Sequence, residues 1–277
     1  ETVRASIQHM GHTVKTISFM DLCISINGGV DILSEKEKIA GRFDVCLARP
    51  FFRPTLMNFL FSIEVLRSLE DNGLPVVNSS SAFLIGANKL TQYALLSSRG
   101  LPVPGTVSSL NPHALSAYLE TGNKAIAKRI CGSRGQGVIQ VGNRRQLMNQ
   151  KKAVMMIQDY VRGSNFDVRG FFVGHRSISW MKRVSNEIVT NISRGGSAEE
   201  YCPDEKAVSL ASAATRATQA AIAGVDIAFD PNGDPFILEV NSQPDFIGLE
   251  KVSRSDISSS IVDLMVRIGS GELDWIR

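Results

Sequence analysis

Two apolar, β-branched runs near the C-terminus constrain this chain most: Gly224-Val225-Asp226-Ile227 and Phe236-Ile237-Leu238-Glu239-Val240-Asn241. Between them, Asp230-Pro231-Asn232-Gly233-Asp234-Pro235 has the composition of a turn, so the pair reads as a strand hairpin. Side chains alternate along a strand, which puts Glu239 and Asn241 on one face, and hairpin pairing can bring Asp226 beside them. Two carboxylates and an amide oxygen converging there make a hard-oxygen site, suited to Mg²⁺ or Mn²⁺ held against nucleotide phosphates. The competing reading is a polar hairpin with solvated acids. That reading would bury Glu239 without a partner inside an apolar Leu-Glu-Val, which is expensive, so the metal reading is preferred.

Composition bounds the alternatives. A chain of 277 residues can hold two domains or one large α/β unit. Its net charge of +3, without a clustered basic stripe bearing aromatics, gives no support for a nucleic-acid partner. Cys23, Cys46, Cys131 and Cys202 are widely spaced and form no Cys-x-x-Cys pair, the pattern of unpaired thiols in a reducing cytosol. The scattered His9, His12, His113 and His175 disfavour a zinc site. With no apolar stretch of spanning length and no secretory leader, a cytoplasmic protein without a membrane partner is expected.

Along residues 1–80 the pattern alternates helix and strand. Residues 2–10 read as a helix and Thr13-Val14-Lys15-Thr16-Ile17 as a strand. An α/β domain normally opens on a strand, so one is expected ahead of the first residue. Phe43-Asp44-Val45-Cys46-Leu47-Ala48-Arg49 reads as a strand, a helix carries Leu60, Ile63, Leu66 and Leu69, and Gly73-Leu74-Pro75-Val76-Val77-Asn78 follows, which implies parallel βαβ pairing. Ligands gather at the carboxyl ends of such strands, so Arg49 is well placed to meet a substrate, with Arg53 just beyond it. A solvated strand-end arginine is the alternative. A helix containing Lys89 comes next. Hairpin strands are then expected at Ala125 to Ile130 with Val138 to Val141, and at Asp167 to Val173 with Ser177 to Arg183, the latter joined at Gly174-His175. An alanine-rich helix over 204–223 and a last helix over 255–268 complete the pattern.

The loop Cys131-Gly132-Ser133-Arg134-Gly135-Gln136-Gly137 lies between two strands, so it is neither a Walker loop nor a Rossmann fingerprint, both of which run from strand to helix. Its glycines still let backbone wrap closely over phosphates. Lys128 on the strand leading in turns it into a phosphate-gripping arrangement. Thr190-Asn191-Ile192-Ser193-Arg194-Gly195-Gly196 pairs a guanidinium with glycines that permit close approach to an anion; in isolation it reads equally as a turn with a surface arginine.

Taken in order, these segments resemble a family: Lys89, Lys128 with its glycine flap, Gln158-Asp159-Tyr160-Val161, Asp167-Val168-Arg169, Thr190-Asn191-x-x-Arg194-Gly195-Gly196, Asp226, and Glu239-Val240-Asn241. The chain is similar to the ATP-grasp carboxylate–amine ligases, specifically their RimK-like branch, over nearly its whole length. The resemblance implies an α/β (α+β ATP-grasp) fold: an N-terminal parallel βαβ domain over 1–80, a central subdomain with the flap over 81–155, and a C-terminal subdomain with the metal site over 156–277, the last two sandwiching ATP. It implies that Lys89 and Lys128 contact the phosphates under the flap of Ser133, Gly135, Gln136 and Gly137. Gln158, Asp159, Tyr160 and Val161 receive the adenine, and Asp167 and Asn191 complete the nucleotide pocket. Asp226, Glu239 and Asn241 hold two Mg²⁺ or Mn²⁺ ions, Arg169 and Arg194 lie near the transferred phosphate, and Ser242 borders the amino-acid pocket. The chain departs from the family pattern at Asp159 for Glu, Asn88 for Asp, and Val189 for an arginine of some relatives.

The implied chemistry is amide formation between an acceptor carboxylate and an α-amino acid, glutamate by family preference, through an acylphosphate. The partners are then a small amino acid and an acceptor that is a coenzyme, peptide tail or carrier protein, and a homo-oligomer, dimer or tetramer, is expected. Two other readings stand beside it: a nucleotide-binding protein of this fold without turnover, and a ligase acting on an amino-group carrier protein.

Overall fold

A computed structural model describes residues 2–49, 55–119, 125–132, 138–149, 156–161, 166–184, 197–253 and 255–273. The chain opens on helix α1 (Thr2–His9). The strand expected at residues 13–17 does not form: the β-branched stretch runs without a ladder, because extended backbone becomes a strand only beside a partner. Instead β1 (Leu22–Ile26), β2 (Val30–Ser34) and β3 (Glu37–Lys38) form an antiparallel sheet, departing from strict helix–strand alternation. The expected parallel unit follows, with β4 (Cys46–Leu47) shorter than the strand read over 43–49, then α2 (Leu56–Asp71) and β5 (Val76–Val77). Thr55 caps α2 by accepting from the Asn58 amide, and Ile63, Leu66 and Leu69 are buried beneath it while Leu60 is exposed.

The helix expected around Lys89 is split. Asn88 separates α3 (Ser80–Ala87) from α4 (Lys89–Ser98), and its side chain accepts from the Leu90 and Thr91 amides, so Lys89 becomes the first residue of a freshly capped helix. Then come β6 (Thr106–Ser108), α5 (Pro112–Leu119), β7 (Ala125–Lys128), β8 (Ile139–Val141), α6 (Arg144–Met148) and β9 (Met156–Asp159). The four strands form one antiparallel sheet in the order β6-β9-β7-β8. Leu115, Leu119 and Leu147 pack beneath it on Ala125, Ala127 and Ile157. By alternation, Ile126, Lys128, Met156 and Gln158 face the other way.

The last part is a five-stranded antiparallel sheet, ordered β12-β11-β10-β13-β14. Its strands are β10 (Phe166–Val173), β11 (Arg176–Val184), β12 (Ser197–Glu200), β13 (Ile222–Phe229) and β14 (Pro235–Asn241). Helix α7 (Glu205–Ala217) covers one face. Its buried Ala207, Ala211 and Ala214 let it sit close on Val168, Phe172, Val225 and Ile237. The helix expected to run to residue 223 stops early: Gln219 takes a φ of 57° and Ile222 starts a central strand, tertiary pairing overriding alanine's helix propensity. On the opposite face α8 (Ile247–Ser253) and α9 (Ile257–Gly269) bury Phe171, Val173, Met181 and Ile222. Farther along the same face those strands carry charged residues instead.

Candidate functional site

The charged stretch of the five-stranded sheet is built by register. Asp167 pairs with Arg183, Arg169 with Asp226, Asp226 with Glu239, and Gly224 with Asn241, so the candidate metal residues do lie on one face of neighbouring pairs. A bulge after Asp226 leaves Leu238 as the extra residue of β14; its carbonyl accepts from the Tyr93 hydroxyl at 2.5 Å.

An ion-pair chain crosses three of these strands. Arg169 grips Asp226 with Nε to Oδ1 at 2.6 Å and Nη2 to Oδ2 at 2.8 Å. Arg183, only 2% exposed, grips Asp167 at 2.7 and 2.8 Å and reaches Asp226 Oδ2 with Nη2 at 3.0 Å. Burial pushes the Asp226 pKa up, but Arg169 and Arg183 outweigh it and hold the carboxyl below the usual range. Burial likewise lowers Arg183, and Asp226 with Asp167 more than reverses that. The Asp167 carboxylate, expected at the nucleotide pocket, is thus engaged by Arg183. Sequence reading did not single out Arg183.

Helix α4 delivers the first cation. Gln92 clamps β14, its Nε2 donating to Val240 O at 2.7 Å while the Val240 amide donates back to Oε1 at 2.8 Å. That clamp sets Lys89 over the acid strand: its Nζ donates to Glu239 and, at 3.2 Å, to Gly132 O at the foot of the flap. From the four-stranded sheet Lys128 Nζ donates to the Tyr93 hydroxyl at 2.6 Å, 4.9 Å from that ring's centroid. Burial lowers the Lys128 pKa to about 7, with Glu239 opposing the shift and Lys89 adding to it.

Gln158 lies on the Lys128 face of β9 and donates to Thr106 Oγ1 at 2.9 Å. The Asp159 side chain points the other way, accepting from the Tyr118 hydroxyl of α5 and packing where any side chain at Gly105 would stand. Tyr160 and Val161 continue half-buried beyond β9. At the end of β14, Asn241 Oδ1 accepts from the Gln243 amide at 2.9 Å. The Ser242 carbonyl accepts from Asn78 at 2.7 Å, and its hydroxyl occupies the space a side chain at Gly86 would take. Exposed Arg49 donates to Pro244 O at 3.4 Å, so the end of β4 does meet this loop. Arg53, Ser133, Gly135, Gln136, Gly137, Asn191 and Arg194 lie outside the described residues.

No group of three His, Cys, Asp or Glu side chains among the described residues could hold a metal. The candidate set differs in kind, two carboxylates and one amide oxygen, a donor set that fits Mg²⁺. No described helix is long and apolar enough to cross a membrane.

The model of the RimK-like ATP-grasp domain matches residues 86–265. The probable alpha-L-glutamate ligase 2 of Shewanella frigidimarina (strain NCIMB 400) is 30% identical over 268 residues, covering 92% of this chain and 88% of that protein. The probable alpha-L-glutamate ligase of Pseudoalteromonas translucida (strain TAC 125) is 29% identical over 275 residues, covering 95% and 89%. Among solved structures, the ATP-grasp ligase PsnB complexed with minimal precursor superposes with a TM-score of 0.77 at 21% identity, covering 96% of this chain and 94% of that one. The RimK domain protein ATP-grasp from Sphaerobacter thermophilus DSM 20745 gives 0.71 at 19%, with the same coverage. At such identities the likeness speaks to the fold, and the fold is ATP-grasp α+β.

Proposed function

The chain belongs to the RimK-like ATP-grasp family and is an ATP-dependent ligase, and we propose that it joins L-glutamate to an acceptor carboxylate through an acylphosphate, releasing ADP and phosphate. One observation carries the reading: the Lys89 ammonium meets Glu239 beside Asp226 and Asn241. That contact supports reading Lys89 as a phosphate ligand set beside the candidate metal ligands. Three units, over 1–80, 81–155 and 156–277, divide the work, and β9 pairs with the strands of the central one.

In this proposal Lys89 and Lys128 grip the phosphates, and Gln158 with the backbone of Asp159 to Val161 takes the adenine. Asp226, Glu239 and Asn241 would hold two Mg²⁺ or Mn²⁺ ions, which when bound neutralise charge on the triphosphate. An acceptor carboxylate oxygen attacks the γ-phosphorus and the bond to the bridging oxygen breaks, releasing ADP. The glutamate nitrogen then attacks the acyl carbon, phosphate leaves with the electron pair of the C–O bond, and the amine gives up a proton. Negative charge develops on the phosphoryl oxygens, so Arg169 and Arg194 serve by electrostatic stabilisation and no side-chain nucleophile is required. Closing the 131–137 loop would exclude water, to which an acylphosphate is vulnerable. Arg49 and Arg53 grip the acceptor, and Ser242 borders the amino-acid pocket. The free, scattered thiols support a reducing, cytoplasmic setting for this homo-oligomer.

The relatives named as glutamate ligases support the amino acid, and the structure of PsnB complexed with precursor peptide PsnA2 supports trying peptide carboxylates as acceptors. A mass-shift screen of small acids and peptide tails with ATP, Mg²⁺ and glutamate should yield a product one glutamyl unit heavier, together with ADP. Nucleotide binding without turnover across the panel would instead favour a non-catalytic ATP-binding protein.

A further inference from the structure

Asp226 carries two guanidiniums that differ in how they are held. Arg169 occupies both carboxylate oxygens, and its side chain retains 15% exposure. Arg183 retains 3%, touches Asp226 only through Nη2, and is fastened by its Nε and Nη2 to Asp167. A planar fork committed to one carboxylate in this way has little freedom to turn toward a ligand. A cation binding to Asp226 needs an oxygen that Arg169 now covers. If Arg169 were the sole compensating charge, its departure ahead of the ion would strand a buried carboxylate, which is costly.

We propose that Arg183 is a positioning residue: anchored by Asp167, it keeps Asp226 oriented and neutralised, so that Arg169 is free to exchange its place for a metal ion and turn to the reacting phosphate. The inference rests on the reading of Asp226 as a metal ligand. Arg183 itself touches no substrate. Without it, Arg169 stays on Asp226 and competes with the ion.

The test measures Mn²⁺ binding by the electron paramagnetic resonance signal of the free ion, with a non-hydrolysable ATP analogue present. Thermal melting of each variant is followed in parallel. Arg183→Lys keeps the charge and loses the fork. The double substitution Asp167→Asn with Arg183→Met removes both charges together, which spares the fold an unpaired buried acid at residue 167. Both variants should melt cooperatively and bind Mn²⁺ at least tenfold more weakly than the unmodified protein. Adding Arg169→Met to Arg183→Lys should recover at least threefold of that loss, a rescue that a purely structural role would not produce. Equal or tighter Mn²⁺ binding in both variants, or no recovery on removing Arg169, overturns the role of Arg183. If the unmodified protein binds no Mn²⁺ with the nucleotide, the metal reading of Asp226 fails and the inference falls with it.

Discussion

On the five-stranded sheet, Asp167, Arg183, Asp226 and Arg169 form a continuous run of ion pairs, whereas Lys128 on the four-stranded sheet meets a phenol hydroxyl and an aromatic face. Asp226 and Lys128 are both buried, yet burial has opposite outcomes. Opposite charges hold Asp226 ionised, while desolvation drives Lys128 toward neutrality. One sheet arrives with its electrostatics satisfied and its geometry set. The other holds a buried cation whose direct partner is the Tyr93 side chain.

The sharpest way to break this comparison is to neutralise one group on each sheet. Asp226→Asn should lower ADP release by about 10²–10³-fold, the usual scale for losing one electrostatic stabiliser. It should also destabilise the protein by about 3–5 kcal/mol in urea titrations, since buried Arg183 and half-buried Arg169 lose their shared partner. Unchanged stability would show that the ion-pair run is not what holds this sheet. Lys128→Met should also impair turnover but shift stability the other way, by roughly 1–3 kcal/mol in favour of the ligand-free fold, because a desolvated charge disappears.

That second effect carries a pH signature. The Lys128 folded pKa of about 7 lies below its ordinary value of 10.5. Below pH 7 both folded and unfolded chains carry the proton and the desolvation penalty is full. Between 7 and 10.5 the folded chain sheds the proton first, so stability should climb with pH across that window. In Lys128→Met the climb should flatten; an identical slope would assign it to other groups. Binding an anionic triphosphate should restore the ammonium, so calorimetry at pH 8 in buffers of different ionisation enthalpy should record uptake of up to about one proton. The uptake should vanish in the variant.

Smaller effects refine the boundaries of the comparison. Arg49→Ala, outside both sheets, should raise the acceptor KM by roughly tenfold and leave the ATP KM unchanged, since it removes one charged hydrogen bond; parallel rises in both would remove Arg49 from the acceptor site. Tyr118→Phe should cost about 1 kcal/mol of stability and spare the ATP KM, because the Asp159 carboxylate it serves points away from the Lys128 face. A rise in ATP KM there would place the Asp159 side chain in the nucleotide pocket.

How much of the site could be read beforehand follows from how local each signal is. The β13–β14 hairpin was legible because alternation and a Pro-Asn-Gly turn are written within a short stretch. The strands that carry Lys128 and Gln158 were legible for a similar reason, each being a short β-branched or apolar run. Arg183 was not. Counting back from the Gly174-His175 turn places Lys182 opposite Asp167, and only the bulge between Phe171 and Phe172 shifts the register to Arg183. Gln92 was hidden too, since a glutamine in a helix gives no hint that both its amide atoms clamp a strand far along the chain.

The amino-acid sequence by itself therefore determined which residue types lie on which strand face, because side-chain direction follows from the two-residue repeat of the backbone. Tertiary structure alone decided which charges meet across strands, where β9 belongs and where the alanine-rich helix stops. Those outcomes depend on bulges, partner strands and burial, and a shift of one residue in register exchanges one cation for another.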